Sequence, residues 1–351
     1  MASAIGLDIG SSAVRAVQLS GGRGPATLER LGQVLLPHGA VRDGEIVEPE
    51  QVAEALRILW QQYKFKGRKV AIGAANQQVV VRQIELPAMA PDQMRESLPF
   101  QVQDYIPIPV DEAQLDFEVL RTYAGPDGTE MARILLVAAT TSMVNEILGV
   151  LSAAKLTPVA LDLDAFALLR ALVPPDQAAS QDEGVGEMVV NVGGGVTNIV
   201  VHSQGVPRFV RILLMGGNNI TEALANATGM SWDDAEALKA TPTPPPGQEA
   251  QIIAERSERF ISEIRGSLDY YRAQSEAVQV QRVVLTGGGA MLPGLPNRLA
   301  QVLRMPVDRG HPMQSLKIGD VPLSPEQLSE AEPFLSVAIG LALGVLEGSR
   351  P

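Results

Sequence analysis

Three short glycine-rich turns, each directly after an apolar run, are the parts of this 351-residue chain best equipped for chemistry. They read Gly6-Leu-Asp8-Ile-Gly10-Ser11-Ser12, Asn191-Val-Gly193-Gly194-Gly195-Val-Thr197 and Thr286-Gly287-Gly288-Gly289. Glycine admits positive φ and lets the main chain come close to a ligand. Successive amide groups in such a turn form a concave anion site, to which Ser11 and Ser12 add hydroxyl donors. Asp8 cannot itself bind phosphate. A carboxylate there fits a magnesium ion placed between it and the phosphates, mostly through water. A single turn of this kind is most often a plain hairpin, and neither G-x-G-x-x-G nor G-x4-G-K-[ST] is present. The first two turns, however, superpose at a constant shift of 183 residues, Asp8 on Asn191, Gly10 on Gly193 and Val14–Val17 on Thr197–Val200. Two such hairpins facing each other would clamp a triphosphate from both sides.

The elements that must carry these turns follow from apolar periodicity and turn residues. Strands are predicted over 5–9, 14–19 and 28–36, a helix from Pro49 with Val52, Leu56 and Leu59 on one face, and strands over 70–73 and 79–84. After Pro87 the character changes. Pro91 suits a helix start, and Pro99 should end or kink that helix. Glu85 to Glu118 holds eight acidic residues and one base, Arg95, a local charge of about −7. Strands over 117–122 and 134–139 flank the turn Gly125-Pro-Asp-Gly128, and a helix carrying Val144, Ile147, Leu148 and Leu151 follows. A short helix over 165–173 leads into a polar linker or hinge over 174–186. Strands over 188–192, 197–202 and 206–214 then repeat the opening pattern. Two helices come next, the second capped by Ser231 with Asp234 three residues on. A long helix over 249–275, a strand over 283–286, a helix over 295–303 and a small-residue helix over 334–346 complete the chain.

Composition narrows the function. With 28 basic and 40 acidic side chains, the net charge of −12 argues against nucleic acid, whose phosphates demand Lys and Arg. The sequence has no cysteine, which removes disulfides, thiolate metal sites and a cysteine nucleophile and suits a reducing compartment. His38, His202 and His311 are far apart and show no ligand spacing. No signal peptide or membrane span is read, so a soluble cytoplasmic α/β protein is expected.

Asp8-x-Gly10-Ser11, Asn191-x-Gly193-Gly194-Gly195-x-Thr197 and Val284-Leu-Thr-Gly287-Gly288-Gly289 resemble the two phosphate motifs and the adenosine motif of the actin-like ATPases, which include MreB, FtsA and the sugar kinases. The strings Arg211-Ile-Leu-Leu-Met-Gly216-Gly217 and Ala235-Glu236-Ala-Leu-Lys239 resemble segments that reach the nucleotide from the second half. Glu236 and Lys239 lie on one helical face as ribose contacts would require, or form a solvated ion pair. Within the superfamily the chain is most similar over its whole length to the PilM family of type IV pilus assembly proteins. The most specific piece is Glu96-Ser-Leu-Pro-Phe-Gln-Val-Gln-Asp-Tyr105-Ile-Pro107-Ile-Pro109, which resembles the PilM inserted subdomain. Leu161-Asp-Leu-Asp164 resembles its return into the first domain. FtsA shares that layout but ends in an amphipathic membrane helix, and no such anchor is expected here.

The resemblance implies an actin-like fold of two related domains around a nucleotide cleft. The first covers 1–84 and 159–184, with the tail 334–351 returning to it. The inserted subdomain covers 85–158, and the second domain 185–333, with 218–279 as its outer helical part. It implies ATP and Mg2+ as cofactors, with Asp8 near the metal. The nucleotide would lie among Gly10, Ser11, Ser12, Arg15, Asn191, Gly193, Gly194, Gly195, Thr197, Gly216, Gly217, Glu236, Lys239, Gly287, Gly288 and Gly289. It also implies docking of the cytoplasmic tail of an inner-membrane, PilN-like pilus protein, with pilus assembly ATPases as further partners. Leu98, Phe100, Tyr105 and Ile108 could line the docking groove or be core. Asp164 stands where MreB-like proteins carry a catalytic Glu and would position water, unless Asp162 or Asp164 only caps the following helix. Two departures weigh against hydrolysis. Asn191 replaces the usual Asp, and an amide adds no charge at a metal. Arg15 stands where Lys is frequent, a bulkier, fork-shaped cation. A sugar or acetate kinase and an MreB- or FtsA-like filament former share these phosphate turns and remain alternative readings.

Overall fold

The computed structural model describes residues 2–21, 24–175, 178, 181–182, 184–274 and 277–348. The linker expected over 174–186 and the tail 334–351 lie partly outside these. The chain divides into two compact units, one of residues 1–75 and 150–351 and one of residues 76–149.

In the larger unit β1 (Ala2–Ile9), β2 (Ala13–Gly21) and β3 (Thr27–Leu35) form an antiparallel meander, followed by the small pair β4 (Val41–Arg42) and β5 (Glu45–Ile46). Helix α1 (Pro49–Tyr63) begins on proline and buries Val52, Leu56 and Leu59 as its pattern requires. Strand β6 (Lys69–Ala74) pairs in parallel with β1. The smaller unit holds β7 (Val79–Pro87), α2 (Pro91–Gln101), β8 (Ala113–Ala124), β9 (Glu130–Thr140) and the start of α3 (Thr141–Ala153). The larger unit resumes with β10 (Thr157–Leu163) and α4 (Asp164–Leu172), then β11 (Val185–Val192), β12 (Thr197–Ser203) and β13 (Val206–Leu213). Helices α5 (Asn218–Thr228), α6 (Trp232–Lys239) and α7 (Gln248–Arg272) come next. Then follow β14 (Gln279–Thr286), α8 (Leu295–Leu303), β15 (Val307–Arg309), β16 (Lys317–Ile318), α9 (Pro325–Ala331) and α10 (Ser336–Gly348).

The internal repeat is visible in topology. One sheet runs β10-β6-β1-β2-β3-β16 and the other β13-β12-β11-β14-β15. From the third meander strand inward the order is the same: an antiparallel meander whose first strand continues into two parallel neighbours. Register repeats as well. Asp8 lies opposite Arg15, and Asn191 opposite Asn198. The Gly10 amide donates to Ala13 O at 3.0 Å, and the Gly193 amide to Val196 O at 2.9 Å. Asp8, Gly73, Asn191 and Thr286 therefore all sit at carboxyl ends of parallel strands, where α/β sheets present their ligand sites.

Each sheet is backed by helices. Met188, Val190 and Val192 of β11 pack with Ile264 and Leu268 of α7 and Leu299 of α8. The small-residue helix α10, buried from Ser336 to Ala342, lies against β1, β2 and α4. Among the described residues no single helix is long and apolar enough to cross a membrane.

The smaller unit is a three-stranded sheet, β7-β9-β8, closed by α2 over Ile84, Met94, Leu98, Ile134 and Leu136. Strand β7 pairs with β9 along its whole length. The boundary expected at residue 85 therefore falls inside a strand, and this unit begins at 76. Helix α2 runs through Pro99 to Gln101, so the expected break there is absent.

At the end of β11 remote from Asn191, Glu187 meets buried His202 (Nε2 to Oε2 3.6 Å) and Arg282 (Nε to Oε1 2.9 Å). Burial alone would raise the Glu187 carboxyl. The His202 and Arg282 contacts outweigh it and draw the group from 4.5 to about 2. A folded value below the unfolded one gives stability that is present above pH 4.5 and lost as pH falls through about 2. At ~1.4 kcal/mol per pKa unit this is on the order of 3 kcal/mol. Glu187→Gln is expected to lower stability at pH 7 and to flatten the acid limb of a pH-dependent urea titration. An unchanged acid limb would assign it to other groups.

Candidate functional site

The two phosphate-type turns face each other. A Cβ at Gly195 would lie 2.7 Å from Ser11 Oγ, and one at Gly194 would strike Ser12 Oγ and come within 3.0 Å of Asn218 Oδ1. Ser12 Oγ lies 3.5 Å from Asn218 Oδ1. Gly10, Gly193, Gly194, Gly195, Gly216 and Gly217 all have ordinary φ; of the glycines expected to bind nucleotide, Gly287 alone takes a positive value, +87°. Of the two properties expected of these glycines, positive φ is used at Gly287, and close approach explains most of the others. A Cβ at Gly216 would run into the backbone of Gly193 and Gly194.

The amides of Ser11, Ser12, Gly194 and Gly195 lie between strands and donate to no acceptor among the described residues. Four unused N–H groups on two facing turns, with two serine hydroxyls, are a donor set that suits phosphate oxygens. Asp8 and Asp164 lie beside them. Asp164 is the first residue of α4, and its carboxyl occupies the space that a side chain at Gly73 would fill. Burial, joined by the neighbouring Asp8 charge, raises the Asp164 carboxyl well above its ordinary value. Burial also raises Asp8, and Arg15, with Nη1 at 3.8 Å, partly offsets this. Two half-buried carboxyls in mutual repulsion favour a cation, and a magnesium ion between Asp8 and phosphates would supply it. Among the described residues no cluster of three or more His, Asp or Glu could hold a metal.

Capping does not explain these aspartates. The α4 N-cap is Leu163, with no side-chain cap bond. Asp162 accepts from the Leu163 amide at 2.7 Å and pairs with Arg170.

Arg15 is held on three sides. It pairs with Asp8, its Nε donates to Gln33 Oε1 at 3.3 Å, and its guanidinium lies 5.4 Å from the Phe334 ring centre. The same ring crowds Gly288 of the third turn, where a Cβ would come within 2.7 Å of it. At that turn a Cβ on Gly287 would meet Asn191 Oδ1 at 2.5 Å, so the second and third turns touch. A Cβ on Gly289 would strike the Val192 side chain.

Glu236 and Lys239 are more than a solvated pair. Lys239 Nζ donates to Glu236 Oε1 (2.6 Å), Thr221 Oγ1 (2.9 Å) and Gly217 O (3.3 Å), and Thr221 also bonds Glu236. The pair fastens α6 to the start of α5 directly behind Gly216 and Gly217. Thr197 is a correction. It is fully buried, and its hydroxyl donates to Met215 O at 2.8 Å, so it supports the turn from behind.

Several contacts have no local sequence signal. His38, in the loop after β3, stacks on Trp232 at the start of α6, with ring centroids 3.6 Å apart and planes at 27°. The β4–β5 turn brings the Asp43 amide to 3.6 Å from the Cβ position of Gly195. In the smaller unit Leu98 is core, Ile108 packs half-buried against that core, and Phe100 and Tyr105 are 79% and 45% exposed. Leu98 is thereby removed from any docking surface.

Comparison with known proteins agrees with this architecture. The structure of a PilM-PilN type IV pilus biogenesis complex matches with a TM-score of 0.87 and 29% identity over 99% of both chains. The ethanolamine utilization protein EutJ from Carboxydothermus hydrogenoformans matches with a TM-score of 0.57 and 15% identity, over 98% of this chain and 90% of that one, a likeness of fold. The cell division protein FtsA of Borreliella burgdorferi is 26% identical over 189 residues, 47% of this chain and 44% of its own length. The FtsA of Escherichia coli is 27% identical over 187 residues, 45% of this chain and 43% of its own length. The chain thus spans less than half the length of these curated relatives. The type IV pilus assembly protein PilM family matches residues 6–345, and the chain, with its duplicated sheets and facing glycine turns on an actin-like fold, belongs to that family.

Proposed function

We propose that this protein is a nucleotide-binding scaffold of type IV pilus assembly, in which two actin-like halves hold Mg-ATP and residues 76–149 help to dock the cytoplasmic tail of a PilN-like membrane protein. The observation that carries the nucleotide part is the set of four amides, without an acceptor among the described residues, on two facing turns beside two half-buried carboxyls. Ser11, Ser12, Gly194 and Gly195 bind phosphate oxygens, Gly287 to Gly289 lie along the adenosine, and Glu236 and Lys239 approach the ribose. Asp8 orients metal-bound water and Asp164 orients the attacking water. A bound magnesium ion would neutralise phosphate charge. Asn191 leaves the site short of one negative group, which favours retention of ATP over turnover.

The His38 and Trp232 rings join the loop after β3 to α6 and in this reading hold the cleft shut. An aromatic stack contributes about 0.5–1.5 kcal/mol beyond area burial. Trp232→Ala is therefore expected to release nucleotide about 2- to 10-fold faster in a stopped-flow chase. An unchanged release rate would give the stack a purely structural role.

The likeness to a PilM-PilN complex supports the partner assignment. Exposed Phe100 and Tyr105 offer aromatic anchors within the acidic stretch, and carboxylates around them speed encounter with a basic tail. The tail would keep the protein at the inner membrane from the cytoplasmic side, where assembly ATPases could join it. Phe100→Ala with Tyr105→Ala is expected to weaken tail-peptide binding about 10-fold or more by anisotropy, at the level typical of hot-spot aromatics. Equal affinity would place the docking site elsewhere and leave the nucleotide reading standing.

A further inference from the structure

A recess of about 410 Å3 lies between the last turns of α7 and α8. Arg265, Asp269 and Arg272 line it from α7, and Gln301, Val302, Leu303 and Arg304 from the end of α8. Residues 265, 269 and 272 recur at helical spacing on the exposed flank next to buried Ile264, Leu268 and Tyr271. Arg304 follows the last turn of α8 in the left-handed region, at φ +55°, where glycine or asparagine is the usual residue.

The plain explanation is that Arg272 and Arg304 offset the negative ends of two helices. Each helix end carries about half an elementary charge. Asp269 answers one guanidinium through a loose, exposed contact with Arg265 at 3.5 Å. Three arginines against one carboxylate and two helix ends still leave the recess positive, on a chain whose net charge is −12. Arginines that serve only a helix dipole can point into open water. These three border one concavity whose floor includes half-buried Val302 and buried Leu303.

We propose that this recess is a second docking site, for a short acidic peptide segment of a protein partner, with carboxylates gripped by Arg265, Arg272 and Arg304 and an apolar side chain seated on Val302 and Leu303. Guanidinium forks match carboxylates in a bidentate way. A flat anionic membrane fits less well, because the rest of this acidic chain would be repelled from it. This docking site depends on neither the nucleotide nor the tail reading.

The test uses the full chain and two dye-labelled probes, Glu-Leu-Glu-Glu-Leu-Glu and Lys-Leu-Lys-Lys-Leu-Lys, read by fluorescence anisotropy. The acidic probe is expected to bind saturably and to weaken as sodium chloride rises. The double reversal R272E/R304E should weaken it at least 10-fold and leave the basic probe's binding no weaker. R272A/R304A should give a smaller loss in the same direction, and both variants should still melt cooperatively, the double reversal at a somewhat lower temperature because it places negative charge at two helix C-termini. No saturable binding of the acidic probe, or equal binding by both variants, would overturn the proposal. Charge-dependent binding to phosphatidylglycerol vesicles without binding of the acidic probe would overturn it in favour of a lipid surface.

Discussion

Asp164→Asn is expected to raise the melting temperature of the ligand-free protein at neutral pH and to remove the magnesium-dependent part of its stabilisation by nucleotide. Burial and the Asp8 charge place the folded-state value of Asp164 above its ordinary 3.8. A group raised in this way gives stability that is complete below its unfolded value and is lost as pH rises through the folded one. At neutral pH the unfolded chain carries this group as a carboxylate and the fold disfavours that charge, so a neutral amide of the same shape removes the penalty. Each kcal/mol relieved raises the melting temperature of a unit this size by about 2–4 °C. A helix-stabilising role at the first position of α4 gives the opposite sign, since losing a negative group there costs about 0.3–1 kcal/mol. Thermal melts with and without Mg-ATP separate the two. A fall in the ligand-free melting temperature with the magnesium dependence intact would remove Asp164 from the site.

The second large effect is expected at the opposite hairpin. Asn191→Asp should increase ATP turnover, by on the order of 10²-fold if the added carboxylate supplies general-base or metal-orienting help of the usual size. Asn191 occupies the position equivalent to Asp8 under the internal repeat and lies against Gly287 of the third turn. Its ladder partner is Asn198, where Asp8 faces Arg15. The first hairpin thus carries a carboxylate and a guanidinium, and the second two amides. The substituted carboxylate has no guanidinium in register with it and depends on the metal for its counter-charge. Release of phosphate by the wild type as fast as by Asn191→Asp would show that Asp8 and Asp164 suffice.

The duplicated hairpins were legible because a hairpin is local. Asp8 to Arg15 and Asn191 to Asn198 fall within a few residues, and the glycine spacing survives comparison of the halves. The helical face of α7 and the Ser231 cap of α6, which accepts from the Asp234 amide at 3.1 Å, were legible for the same reason. What stayed hidden depends on distant pairing. His38 meets Trp232 and Phe334 meets Arg15 only once the sheets are assembled. Gly73 reads as an ordinary strand glycine until Asp164 packs over it. Strand β10 has little alternation to reveal it, because Pro158 and Asp162 interrupt the pattern, yet it pairs with β6 for nearly its whole length. Leu98 and Phe100, two residues apart on one helix, could not be sorted by type. The core of the smaller unit decides that the first is buried and the second exposed.

A crystal structure of the full chain grown with Mg-ATP tests the nucleotide clamp most directly. The expected result places phosphate oxygens within hydrogen-bond distance of the amides of Ser11, Ser12, Gly194 and Gly195. Metal-bound water should reach Asp8, and the adenosine should lie between Gly288 and the Glu236–Lys239 pair. Nucleotide density elsewhere on the surface, or none at saturating Mg-ATP, would contradict the clamp.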